Sequence, residues 1–152
     1  MFTYKVIREN NVYLIYHNEV LLYKAIRESY YFFCERVKFY DLNDEVIIVS
    51  KQKYFLVFDF GHIIKFSDKE GKYFMKARNG NSELYYEGEL YAYKHKLFAR
   101  NKSLFLNGVI VGEFDSVKVS LLKFEHHIIC NSEKSCFIFS IMDVILDWFD
   151  VN

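Results

Sequence analysis

The chain has 152 residues, 52% of them apolar and 20% aromatic, and its 20 Lys+Arg balance 20 Asp+Glu. That length is one domain with room for a sizeable core, and the apolar share excludes a disordered chain. A formally neutral chain also lacks the net basic surface of a dedicated nucleic-acid binder.

In chain order the first 131 residues are short apolar or alternating runs cut by turn residues. FTYKVI meets VYLIYH across Asn10-Asn11, and VYLIYH meets VLLYKA across Asn18-Glu19. The stretch EVLLYKAIRESYYFFCERVKFY, residues 19 to 40, has no Gly or Pro and contains good helix formers, so periodicity alone leaves helix and strand open. Two strands broken near Arg27-Glu28-Ser29 are the preferred reading. RVKFYD then meets EVIIVS across Leu42-Asn43-Asp44, and KYFLVFDF and HIIKFSD flank Gly61. Asp68 to Gly71 precedes KYFMKA, and Asn79-Gly80-Asn81 precedes ELYYEGELYAYKHK. SLFL turns through Asn107-Gly108 into VIVGEF, and SVKVSLLKF runs on to HHIIC. Asn-Gly between apolar runs is a strong hairpin signal, because both central residues must take positive φ. The 13 Tyr and 16 Phe also suit sheet surfaces. About twelve antiparallel strands at this spacing predict a mainly β barrel or sandwich. Tyr91, Tyr93 and His95, alternating with Leu90, Ala92 and Lys94, are read as a wet face.

The C-terminal run SCFIFSIMDVILDWFDVN changes period. Ser140, Asp143, Asp147 and Asp150, spaced at three and four, form one narrow polar stripe on a helix of about 136 to 149. Apolar side chains cover the remaining girth, so such a helix must be enclosed. Its roughly 22 Å length matches a small barrel and falls short of a bilayer's roughly 30 Å core. One domain over 1–152, with this helix threaded through a barrel, is the predicted architecture.

The residues 37 to 52, VKFYDLNDEVIIVSKQ, resemble the repeated strand, Asp-containing turn, strand unit of small tubby C-terminal-like proteins. ELYYEGELYAYKHKLFARNKSLFLNGVIVGEF, residues 83 to 114, is similar to their late segment, and FIFSIMDVILDWFD stands where they have a closing apolar helix. Tubby proteins, phospholipid scramblases and the LURP-one-related proteins of plants and bacteria share that plan. The resemblance implies a closed antiparallel barrel around a hydrophobic helix, and anionic phospholipid as a ligand. This chain lacks the scramblases' longer apolar C-terminus and calcium-linked motif. Tubby binds phosphoinositides through basic side chains on its barrel, and the resemblance does not extend to a residue-by-residue alignment of them.

Candidate sites are few. The most basic window, YKHKLFARNK, holds Lys94, His95, Lys96, Arg100 and Lys102 and no acid. It suits a phosphorylated headgroup or an acidic protein surface, or it is a solvated hairpin whose charges deter edge pairing. Tyr91 and Tyr93, with Tyr85 and Tyr86 nearby, add the composition of a protein-binding hot spot, or of sheet-stabilising aromatic pairs. Asp143 and Asp147 could hold a cation or act as an acid–base pair, or the stripe simply reaches solvent at a barrel mouth or hydrogen-bonds to strand backbone. His126 and His127 point to opposite faces of a strand, so they share no metal. The three cysteines have no CxxC spacing and read as reduced thiols. The N-terminus has no signal-peptide core, and nothing approaches 18 uninterrupted apolar residues. The expectation is a cytoplasmic, non-enzymatic protein without cofactor, metal or nucleic acid. It engages a protein partner, as a bacterial immunity or accessory protein acting by occlusion would. The alternative is anionic phospholipid bound at a membrane surface through residues 93 to 102.

Overall fold

The computed structural model describes residues 1–31, 34–56, 59–78, 81–95, 102–118 and 123–146. Among them the strands in chain order are β1 (Phe2–Glu9), β2 (Val12–His17), β3 (Val20–Tyr31), β4 (Cys34–Tyr40), β5 (Val46–Leu56) and β6 (Asp59–Phe66). There follow β7 (Tyr73–Arg78), β8 (Asn81–Tyr86), β9 (Glu89–His95), β10 (Lys102–Leu106), β11 (Val109–Lys118) and β12 (Lys123–Cys130). Each strand pairs antiparallel with its neighbours in sequence, and β12 returns to β1 from Phe2↔Cys130 to Glu9↔Lys123, closing the barrel. The predicted barrel is therefore the observed one.

Alternation sets the inner face. In β8, Ser82, Leu84 and Tyr86 are buried while Glu83 and Tyr85 face out. Turn chemistry sets the register. Asn18 and Glu19 take φ of 49° and 63°, and Asn107 and Gly108 take 51° and 82°, the left-handed pair that a twisted two-residue hairpin requires. Gly112 meets a different demand: a Cβ there would lie 2.0 Å from the Ile129 carbonyl oxygen and 2.8 Å from Cys130 Sγ. No side chain fits where β11 crosses that part of β12.

The stretch from 19 to 40 is strand, but the break is not at Arg27-Glu28-Ser29, which lie inside β3. That polar triplet looks like a turn because Arg27 points into the barrel while Glu28 pairs outside with Arg36 and Lys38. Gly61 likewise sits within β6, between Lys53 and Lys76, and not at a turn.

The helix α1 spans Glu133–Leu146. It starts three residues before the expected 136 because Ser132 caps it: the Ser135 amide donates to Ser132 Oγ at 3.2 Å. Glu133 in the first turn favours the positive end of the macrodipole and accepts from the Tyr4 hydroxyl at 3.3 Å. The expected positions Asp147 and Asp150 lie outside the described residues.

Opposite walls of the barrel touch this helix. Tyr23 of β3 packs on Phe137 at 5.3 Å between ring centres, while Tyr91 and Tyr93 of β9 meet Phe139 at 5.6 and 5.7 Å. Because β3 and β9 stand across the closed circuit from each other, α1 runs through the lumen. Ile138 to Ile145 are accordingly buried without interruption. The helix takes the place of a solvent-filled interior.

Candidate functional site

The two described lysines of the basic window face opposite ways. Lys94 is exposed on the outer wall, its ammonium 4.8 Å from the Phe105 ring centre. Lys102 points inward and is only 8% exposed. His95 ends β9, its side chain outside the described set, and Lys96 and Arg100 lie outside the described residues. Tyr91 and Tyr93, expected on a wet face, are both fully buried. β9 keeps the expected alternation at Tyr91 and Tyr93 with the opposite phase: tyrosine suits either face, and here the rings are needed against Phe139.

What the inward side chains build is a polar cluster around Asp143. His126 of β12 donates through Nδ1 to Asp143 Oδ2 at 2.8 Å, and neither residue is exposed. The edge of the Phe114 ring holds the imidazole at 4.5 Å. The Lys102 ammonium lies 5.1 Å from the Phe114 ring centre and 5.7 Å from that of Tyr93. Burial pushes its pKa down to about 8, partly offset by attraction to Asp143. Burial, then the Asp143 charge, push the Tyr93 phenol well up. Among the described residues the Tyr93 hydroxyl and Asp143 Oδ1 meet no hydrogen-bond partner.

A second cluster grips the same last turn of the helix from β3. Arg27 of β3 donates through Nη2 to the Val144 and Ile145 carbonyls, the latter at 3.0 Å, through Nε to the Tyr13 hydroxyl at 2.9 Å, and through Nη1 to Glu35. These are carbonyls that a helix C-terminus leaves unsatisfied, met by a cation where the dipole favours one. Nearby, burial and then the Arg27 charge lower His62 to about 4. An unfolded chain would protonate His62 near 6.5 and the folded one does not until about 4. Stability from this group is therefore intact above 6.5, falls between 6.5 and about 4, and is level below that. The loss is roughly 3 kcal/mol, and His62→Gln should flatten the decline in urea denaturations across that pH window.

A histidine held by a carboxylate beside an amine and a phenol has the parts of acid–base chemistry. Here those parts are sealed between barrel and helix. Sequence reading separated His126 from His127 but missed that the inward His126 meets Asp143. Two isolated polar residues on inward-facing positions were the available signal, since buried polar groups need partners. Cys130 and Cys136 are buried free thiols, with Cys136 Sγ donating to the Phe2 carbonyl at 3.2 Å. Among the described residues no three His, Cys, Asp or Glu side chains gather as metal ligands, and no helix is long and apolar enough to cross a membrane.

The outer surface has its own organisation. In an antiparallel barrel alternate turns share a rim, and the β2–β3, β4–β5, β6–β7, β8–β9 and β10–β11 turns lie on the rim where α1 enters. Phe2, Val20, Leu42, Val46, Val109 and Ile110 occupy this rim at exposures from 37% to 66%. Acids accompany them: Glu19 precedes Val20, and Asp41, Asp44 and Glu45 share a turn with Leu42. Asp68 and Glu70, then Glu87 and Glu89, occupy the next two turns, against the lysines Lys69, Lys72 and Lys134. Lys69 is paired with Glu87, and Lys134 lies 3.4 Å from both Glu87 and Glu89. A chain that is neutral in total thus carries an acidic rim.

No family model, no curated protein and no solved structure matches the chain.

Proposed function

We propose that this chain is a non-enzymatic intracellular binding protein that engages a protein partner through its outer surface. Occlusion of the partner, as by a small bacterial immunity or accessory protein, is the form this takes. The observation that carries the reading is the set of large apolar side chains exposed together on the rim where the helix enters. The enclosed groups point the same way. Asp143, His126 and Tyr93, with no exposed surface, meet no substrate while α1 fills the lumen. The strand-and-helix plan is also that of tubby-like proteins, an architectural likeness that supports a small binding barrel and does not select a ligand. Anionic phospholipid finds less support, because of the basic window's described lysines only Lys94 faces solvent. Co-expression with the products of adjacent genes, scored by co-purification and by rescue from toxicity, tests the reading. A complex of micromolar affinity or tighter is the expected result. Failure of every such product, together with flotation on anionic vesicles that Lys94→Ala abolishes, would replace the protein partner with lipid.

A further inference from the structure

We infer that the docking surface is the rim where α1 enters, and that it recognises a protein segment in which apolar side chains are flanked by lysine or arginine. This rests on the protein-binding reading and specifies its partner. The apolar members lie along one arc. Val109 and Ile110 begin β11, Phe2 begins β1 beyond β12, Val20 begins β3 beyond β2, and Val46 begins β5 beyond β4 with Leu42 in the turn between. Successive members are separated by about two strand spacings, roughly 10 Å, the reach of a short peptide or a helix face. Apolar contact supplies affinity at the centre of such a surface, and charge selects among partners and speeds encounter.

Acids outnumber bases around the arc, with Lys5 and Lys134 against Glu19, Asp41, Asp44, Glu45 and Glu133. Asp44 and Glu45 stand exposed between Leu42 and Val46. The turn they occupy is held by Asp41, whose carboxylate accepts from the Asn43 and Glu45 amides at 2.9 and 3.0 Å. Glu19 is fixed beside Val20 by Lys5 at 2.9 Å. Acid placed on ordered turns around apolar side chains disfavours phosphate backbones and anionic bilayers, and it complements a cationic, apolar segment.

The test pans a displayed library of random peptides on the whole chain and measures the selected peptides by titration. The expected peptides combine Lys or Arg with Leu, Ile or Phe, and they bind more weakly as salt rises. Asp44→Asn with Glu45→Gln, which keeps a residue tolerant of positive φ at 44, should weaken them by about tenfold. Leu42→Ser with Val109→Ser should do the same through the apolar arc, by about tenfold. A thermal melt confirms that each variant is folded. Peptides that are acidic, or indifferent to both variants, would overturn the inference while leaving protein binding in place. Selection of no peptide would overturn both. Flotation on phosphatidylcholine–phosphatidylserine vesicles that Leu42→Ser with Val109→Ser abolishes would assign the rim to membrane and likewise overturn it.

Discussion

Arg27→Met is expected to lower unfolding free energy by about 3–5 kcal/mol, because it takes the donor from two buried helix carbonyls and the Tyr13 hydroxyl, at about 1–3 kcal/mol for each group left unsatisfied. That is a large part of the roughly 5–15 kcal/mol that holds a domain together. The reason lies in what the guanidinium connects. From β3 it reaches the last carbonyls of α1, the Tyr13 hydroxyl of β2 and Glu35 of β4 at once. Methionine fills similar space but leaves the Val144 and Ile145 carbonyls without these donors, inside a wall where water does not replace them. Arg27→Lys should rescue little, because an ammonium has no planar fork to serve carbonyl, phenol and carboxylate together. Urea midpoints of the three proteins measure this directly.

Asp143→Leu is expected to cost about 2–4 kcal/mol, and His126→Phe a similar amount, because each strands a buried polar partner. The double variant should be more stable than the sum of the two losses predicts, by about 1–3 kcal/mol. Phe114 packs on His126 and Tyr93 on Phe114, and the dyad is fully buried, so an apolar pair of comparable size can pack where the hydrogen bond was. Removing Asp143 also removes the carboxylate that offsets the burial of Lys102, so Lys102 should titrate still lower. A double-mutant cycle in urea, with the lysine followed by NMR, separates these effects. Strict additivity would mean that the 2.8 Å contact contributes nothing of its own.

The barrel and its helix were legible because their signals are collective. Asn-Gly turns, alternation over many strands and an apolar girth interrupted by one aspartate stripe all pointed to the same architecture. Single side chains were harder. Tyr91 and Tyr93 fit either face of β9, and only the position of Phe139 decides between them. Arg27 resembled part of a turn because its partner, the end of α1, lies 117 residues away in sequence at Val144. His126 and Asp143 gave no joint signal, since their meeting depends on how helix and strand are set in register. The acidic rim was readable in principle, because acids recur at every second turn around 41–45, 68–70 and 87–89. A net charge of zero concealed it.

The chemistry of this protein turns on whether its lumen ever opens. With α1 capped by Ser132 at one end and held by Arg27 at the other, the Asp143 cluster is enclosed, as the proposed docking through the outer surface requires. Native-state hydrogen exchange of the α1 amides tests this most directly. The predicted result is that amides from Ile138 to Ile145 exchange only through global unfolding, with the same free energy as the core of β1 and β12. Exchange of those amides at a clearly lower free energy, while the strands stay protected, would contradict it. The helix would then leave a standing barrel, and the lumen would become the place to look for a ligand.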